Sequence, residues 1–300
     1  MITLGLGCAP IGNMFETVTD DDAIAVVHTA YNAGIRFFDT APLYGHGLSE
    51  YRLGLALSSL PRDGFVVSTK VGRVLESGEE PDSIFHDVPR LRPVFDFSAD
   101  GAHRSLEASL QRLGLDHVDI VHVHDPDDHA DEALAGAFVA LRRWRDEGVV
   151  QKIGAGMNQS ALLARFVREA DLDCVLLAGR YTVLEQPALD DLLPLCEETG
   201  TEVIAAGVFN SGLLANPEPG AHYNYAPASP ELIERARQLR ALCERHGVPL
   251  TAAALQFPAR HPAVSCVLTG ARSVTELEAN IIDARRPIPD ELWTELAAHR

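Results

Sequence analysis

The sequence predicts an α/β fold, a (β/α)8 TIM barrel in a single domain spanning residues 1–300. Three observations predict it. Short apolar runs alternate with amphipathic helical stretches along the whole chain. The runs are apolar throughout rather than at every second residue, as strands of a parallel sheet covered on both faces must be. And 300 residues with 46% hydrophobic content suffice for one large core, at a size where α/β barrels are single domains. A doubly wound open sheet is the second choice.

Each element has its own signal. Gly5-Leu6-Gly7-Cys8-Ala9-Pro10-Ile11-Gly12 holds early glycines. Their spacing departs from GxGxxG, Pro10 interrupts, and no helix opens behind them, so a Rossmann turn is rejected. Thr19 followed by three aspartates caps a helix that runs to about Asn32 and stops at Gly34. Ile35 to Phe38 reads as a strand, and Ser49 to about Ser58 as a helix with Leu53, Leu57 and Leu60 on one face. Phe65 to Thr69 is a strand ending on Lys70. Gly72 to Ser98 shows no periodicity and three prolines, so it reads as a long irregular segment, of the kind that is often functional.

Asp100 to Leu113 is a helix, Val118 to Val123 a strand closed by His124-Asp125-Pro126, and Asp131 to Glu147 one helix. Lys152 to Gly156 is a strand, Ser160 to Ala170 a helix and Cys174 to Ala178 a strand. Helix Ala188 to Thr199 and strand Glu202 to Ala206 follow, then a loop rich in Gly, Asn and Pro from Gly207 to Ser229. Pro230 to His246 and Leu250 to Ala259 are helices, Val264 to Leu268 the last strand, and Val274 to Asp283 a closing helix. Seven strands are placed this way, and the weak eighth is put near Gly207 to Phe209.

The formal net charge is -18. Phosphate binding needs clustered Lys and Arg, so no nucleic-acid or acidic-membrane partner is expected. No apolar run approaches the roughly 20 residues of a membrane span. The N-terminus lacks a basic region followed by an apolar stretch, so no signal peptide is read. Cys8, Cys174, Cys196, Cys243 and Cys266 are scattered, without CxxC spacing. They read as reduced core thiols of a cytoplasmic protein. Oligomeric state is not readable.

Four residues stand out by position. Asp39, Lys70 and His124 each close a strand, and Tyr44 lies in the loop after one. In a βα barrel such positions converge on one face, where the chemistry sits. A tyrosine titrates near roughly pH 10. A lysine ammonium beside it favours phenolate, and a carboxylate holds that lysine. A histidine next to the substrate oxygen orients it or shares its proton. Such a set moves a proton onto or off an alcohol oxygen while a hydride moves elsewhere. His122-Val123-His124-Asp125-Pro126-Asp127-Asp128-His129 invites a metal reading, because histidines two apart on a strand face the same way. A metal centre needs ligands from other strand ends. The strands after His124 supply none, so no metal is expected.

These motifs carry a resemblance. Phe38-Asp39-Thr40-Ala41-Pro42-Leu43-Tyr44-Gly45, Ser49-Glu50, Ser68-Thr69-Lys70, Ser105 to Leu113, and Asp119 to Pro126 occur in the order seen in aldo-keto reductases. The chain resembles that family over nearly its whole length. The resemblance implies a barrel that binds NAD or NADP in extended form without a Rossmann domain. It carries the catalytic tetrad onto Asp39, Tyr44, Lys70 and His124, with Tyr44 as proton donor or acceptor and Lys70 lowering its pKa.

Asn158 matches the position that takes the nicotinamide amide, although the serine usually before it is absent. Gly207, Phe209 and Ser211 lie in the segment after the sixth strand of this reading. Phe209 is near, though not aligned with, the aromatic that stacks on the nicotinamide. Gly270, Arg272, Ser273 and Asn280 match the segment that holds the adenosine end. Arg272 and Ser273 suit a 2′-phosphate and hence NADP. Glu276 stands where the family usually has Gln or Arg, and its charge repels a phosphate. With the branch resemblance, this points to NAD.

The departures resemble the branch that oxidises free aldoses at C1, such as L-fucose, L-galactose and D-arabinose dehydrogenases, with pyridoxal 4-dehydrogenase beside them. The implied substrate is a small sugar-like molecule, oxidised to a lactone. His46, Asn210 and Tyr223 are the candidate substrate contacts, with His222 and Tyr225 nearby. A pyridoxal 4-dehydrogenase or a general NADPH-dependent aldehyde or ketone reductase is the alternative. A barrel metallohydrolase and a non-catalytic cofactor-bearing subunit are more remote.

Overall fold

The computed structural model describes residues 2–80 and 83–298. Pro81, named above within the irregular segment, lies outside the described residues. Eight parallel strands close into a barrel: β1 (Leu4–Gly7), β2 (Phe37–Asp39), β3 (Val66–Val71), β6 (Ile120–His124), β7 (Lys152–Met157), β8 (Cys174–Ala178), β9 (Glu202–Ala206) and β12 (Val264–Thr269). Each pairs in parallel with the next, and β12 returns to β1. Between them lie two small antiparallel pairs, β4 (Arg73–Ser77) with β5 (Leu91–Phe95), and β10 (His222–Tyr223) with β11 (Ala226–Pro227).

The helices follow from their caps. Thr19 Oγ1 accepts from the Asp22 amide to start α1 (Asp20–Asn32). Ser98 caps α3 (Ala99–Leu113), Ser229 with Pro230 starts α8 (Pro230–Arg245), and Ser273 caps α10 (Val274–Ala284). These are the side chains that accept from orphan first-turn amides. The remaining helices are α2 (Leu48–Leu57), α4 (Ala130–Ala135), α5 (Ala137–Asp146), α6 (Ser160–Glu169), α7 (Leu192–Thr199), α9 (Leu250–Gln256) and α11 (Asp290–Ala297).

Most of the core lies between barrel and helices, around Phe38, Val121, Phe138, Leu141 and Phe166. A smaller cluster, Ile120, Cys174, Leu176, Ile204, Cys266 and Leu268, comes from every second residue of four strands. Two-residue alternation puts Ile120, His122 and His124 on one face of β6, with Ser68 and Lys70 on the corresponding face of β3.

The structure corrects several expectations. The eighth strand is Leu4–Gly7, not Gly207 to Phe209. A Cβ on Gly5 would lie 2.6 Å from Leu268 Cδ2, so this strand uses glycine where the side chains of neighbouring strands pack against it. That composition is what hides it as a strand. After β9 the chain turns at Gly207, whose φ is 61°, and the Asn210 amide closes the turn on the Gly207 carbonyl at 2.8 Å. The Gly72 to Ser98 segment contains the β4–β5 hairpin, which pairs Arg73 with Phe95. The single helix expected from Asp131 to Glu147 is two, broken at Gly136. There the Ala137 amide bonds the Phe97 carbonyl at 2.7 Å, and a Cβ on Gly136 would come within 2.4 Å of that oxygen. The chain also closes on α11, which the sequence reading did not foresee.

Candidate active site

The C-terminal ends of the strands surround a cavity of about 420 Å³ whose lining includes Asp39, Tyr44, Lys70 and His124. Asp39 ends β2 and is 2% exposed. Its Oδ1 accepts from Ser68 Oγ at 2.6 Å and its Oδ2 from Lys70 Nζ at 2.7 Å. Lys70 Nζ also donates to the Thr40 carbonyl at 2.8 Å. A buried pair of this kind is held by further hydrogen bonds to both partners, which Ser68 supplies to the carboxylate and the Thr40 carbonyl to the ammonium.

Tyr44 is held by the turn that follows β2. Its amide bonds the Ala41 carbonyl at 3.1 Å. Gly45, with φ of 62°, lets this turn touch the loop after β1: a Cβ there would sit 2.4 Å from the Gly12 carbonyl oxygen. The Lys70 ammonium lies 4.7 Å from the centre of the Tyr44 ring. The His124 ring meets that ring edge-on, centroids 5.7 Å apart.

The electrostatics differ from the expectation for the phenol. Burial pushes the Tyr44 hydroxyl well above its ordinary value; Asp39, Tyr225 and Asp125 add to this, and Arg73 opposes. Burial likewise holds His124 well below the usual imidazole range, helped by Arg73 and Lys70. The tyrosine is therefore a protonated donor and the histidine a neutral ring in the structure as it stands.

The other sequence-named residues divide. Asn158, Gly207, Ser211, Gly270 and Asn210 line the cavity. Asn158 Nδ2 donates to the Ala178 carbonyl at 2.8 Å. Ser211 Oγ accepts from the Tyr225 amide at 3.1 Å. Asn210 donates to Gly179 and Glu185, and its Oδ1 is buried without a partner. Phe209 packs against Ala205, Val208, Leu255 and Val267 and does not line the cavity. Arg272, Ser273 and Asn280 lie beyond Gly270. Arg272 pairs with Glu16 at 2.8 Å and Glu276 at 3.0 Å, and Ser273 caps α10. Asn280 Nδ2 donates to Thr269 Oγ1 at 2.9 Å and to the Gly270 carbonyl at 3.2 Å.

Two proposed substrate contacts are committed elsewhere. His46 pairs with Glu80 at 2.9 Å, and the Tyr223 hydroxyl donates to Glu185 at 2.8 Å. Tyr225 instead stands at the tip of the β10–β11 hairpin, with φ of 63°, and lines the cavity with Asn224. In the histidine cluster, His122 is wholly buried with both ring nitrogens unpartnered, while His129 pairs with Glu132 at 3.0 Å. Among the described residues no group of three or more His, Cys, Asp or Glu is arranged to hold a metal ion.

Sequence reasoning missed Met14, Leu43, Phe85, Arg73 and Asp125, of which all but Arg73 line the cavity. Arg73 NH2 bonds Asp125 Oδ2 at 3.1 Å and its NH1 bonds the His124 carbonyl at 3.2 Å. The only available signal was adjacency: Asp125 follows His124, and Arg73 comes just after the strand that ends in Lys70. A second cavity of about 460 Å³, among Thr3, Gln256, Val264 and Arg285, lies at the strands' N-terminal ends, away from these residues.

The family described as Aldo/keto reductase family matches residues 3–300. D-threo-aldose 1-dehydrogenase of Pseudomonas sp is 48% identical over 307 residues, covering 99% of this chain and 93% of that protein. Pyridoxal 4-dehydrogenase of Microbacterium luteolum is 41% identical over 316 residues, covering 98% and 92%. The solved structure of aldo-keto reductase AKR11C1 from Bacillus halodurans, in its holo form, aligns with a TM-score of 0.80 at 24% identity, covering 99% of this chain and 91% of that one.

Proposed function

The chain belongs to the aldo/keto reductase family and is an NAD(P)-dependent oxidoreductase, and on that premise we propose that it oxidises a free aldose at C1 to the lactone. The observation that carries the chemistry is the convergence of Asp39, Tyr44, Lys70 and His124 on one cavity at the strand ends. The sugar reading rests on the similarity to D-threo-aldose 1-dehydrogenase.

The residues fit a nicotinamide cofactor. The unpartnered Asn210 Oδ1 and the Asn158 amide offer hydrogen bonds to a planar amide and its ribose, and Gly7, Gly207 and Gly270 add no side chain of their own to the cavity wall. When bound, an oxidised nicotinamide accepts the C1 hydride and brings a positive charge to the site. The chain supplies the proton chemistry. His124, neutral, orients the anomeric hydroxyl, and Tyr44 Oη takes its proton. Lys70 stands beside the ring to favour phenolate, and Asp39 with Ser68 fixes Lys70. In the reverse direction the protonated phenol of Tyr44 is already the competent acid.

We read the cofactor as NAD. Arg272, the cation suited to a 2′-phosphate, is already shared by Glu16 and Glu276, and two carboxylates beside a phosphate repel it. We further take residues 1–300 as one barrel domain and its compartment as cytoplasmic, in keeping with five free, buried cysteines. Pyridoxal is the second substrate reading, favoured by the 41% identical relative.

The test follows absorbance of the reduced nicotinamide with NAD or NADP and a panel of L-fucose, L-galactose, D-arabinose and pyridoxal. A rise with an aldose and NAD is expected. A rise with pyridoxal alone, or only consumption of reduced cofactor by simple aldehydes, refutes the aldose reading. Tyr44→Phe should lower turnover by about 10²–10⁴-fold while leaving cofactor affinity nearly unchanged. Wild-type turnover in that variant would remove Tyr44 from the proton step.

A further inference from the structure

We propose that Asp125 sets the preference for polyhydroxylated substrates, its carboxylate accepting a hydrogen bond from the hydroxyl on the carbon next to the one oxidised. The inference deepens the aldose reading above and rests on it.

The placement is specific. Asp125 follows β6, and its amide donates to the Gly156 carbonyl at 3.0 Å, just past the β6–β7 ladder. Its φ is 42°, in the left-handed region that Asp and Asn enter more readily than other non-glycine residues, and this turn is what presents the carboxylate at the cavity wall. The carboxylate is 29% exposed, and it lines the cavity that holds Tyr44 and His124.

The partners of the carboxylate fix its role. Arg73, reaching over from β4, is only 11% exposed and lies 4.8 Å from the centre of the Phe95 ring. It bonds Asp125 Oδ2 at 3.1 Å and the His124 carbonyl at 3.2 Å, so one guanidinium sets both residues. His124 Nε2 is 3.4 Å from the same Oδ2. Burial raises the Asp125 carboxyl while Arg73 and Lys70 oppose that rise.

A carboxylate only accepts hydrogen bonds. A simple aldehyde has nothing to donate to it. An aldose carries a hydroxyl on the carbon beside C1. With the C1 oxygen on His124, that neighbouring hydroxyl is the one within reach of an oxygen set beside Nε2. A hydrogen bond to a charged acceptor discriminates strongly: an analogue lacking the donor loses that bond, while Oδ2 stays on Arg73.

The experiment compares an aldose with its 2-deoxy counterpart in wild type, Asp125→Asn and Asp125→Ala. Asn is well tolerated in the left-handed region, so Asp125→Asn keeps the turn. Wild type should prefer the parent sugar by about 10- to 100-fold in kcat/KM. In both variants the preference should shrink to within about 3-fold, with the loss on the parent sugar chiefly in KM. A variant that keeps the wild-type preference overturns the inference, and so does one that loses parent and 2-deoxy sugar equally. If wild type oxidises no aldose, the reaction reading fails and the inference falls with it. If wild type oxidises aldoses but Asp125→Asn changes nothing, the inference alone fails.

Discussion

At the scale of single residues, the site turns on which charges are already paired. The Lys70 ammonium lies 4.7 Å from the centre of the Tyr44 ring, yet it is tied to Asp39 and the Thr40 carbonyl. Burial therefore decides the phenol, and its hydroxyl lies high. Removing the cation should push it higher still. Lys70→Met is expected to move the rising limb of the oxidation pH profile, where Tyr44 becomes a base, to higher pH; a profile that overlays wild type would end the role given to Lys70. The same variant strands a buried carboxylate, which costs about 3–5 kcal/mol of stability. Adding Asp39→Asn should recover part of that loss in a denaturant titration. The tetrad itself was legible in the sequence because each member stands at or just after a strand end. Arg73 and Asp125 were not, because their meaning depends on a contact between a hairpin and a strand distant in sequence.

At the scale of elements, close approaches of backbone carry the tyrosine to its place. The turn after β2 and the loop after β1 meet at Gly12 and Gly45. Gly45→Ala adds a Cβ at a left-handed position and 2.4 Å from a carbonyl oxygen. The loss of stability should be about 1–3 kcal/mol by chemical denaturation. Because Tyr44 is joined directly to the residue pushed away from Gly12, kcat should fall more than KM rises. An alanine variant with unchanged stability and kcat would show that this contact does not position Tyr44. The same physics explains which elements were misread. β1 is rich in glycine, and the α4–α5 break at Gly136 receives the Phe97 carbonyl. Neither follows from the pattern of local propensities. The β4–β5 hairpin lacks the alternation that marks a half-buried strand and a short turn signal between its strands.

At the scale of the whole molecule, a filled barrel interior carries a cost in acid. His122 is wholly buried, and burial with the nearby Lys70 pushes its pKa down to about 3 from 6.5. The folded state thus binds fewer protons than the unfolded one between these values. Stability from this group is complete above about pH 6.5 and is lost as pH falls toward 3. The loss from this residue should reach about 2 kcal/mol at pH 5. Denaturant titrations of wild type and His122→Leu at pH 8 and pH 5 check it. The wild type should lose more stability than the variant by that amount; equal losses would show that His122 is not held neutral by the fold.

The sequence by itself determined the alternation of strands and helices, the closed parallel barrel, the family and the four strand-end residues. These follow from periodicity, capping and order along the chain, which are local properties. It did not determine which polar groups face the cavity. Tyr223 and His46 looked available and are bonded to Glu185 and Glu80, whereas Asp125 and Tyr225 are turned to the cavity by left-handed backbone. Only the tertiary structure decided that, because a polar side chain takes its role from the partner that reaches it first, and those partners come from loops distant in sequence.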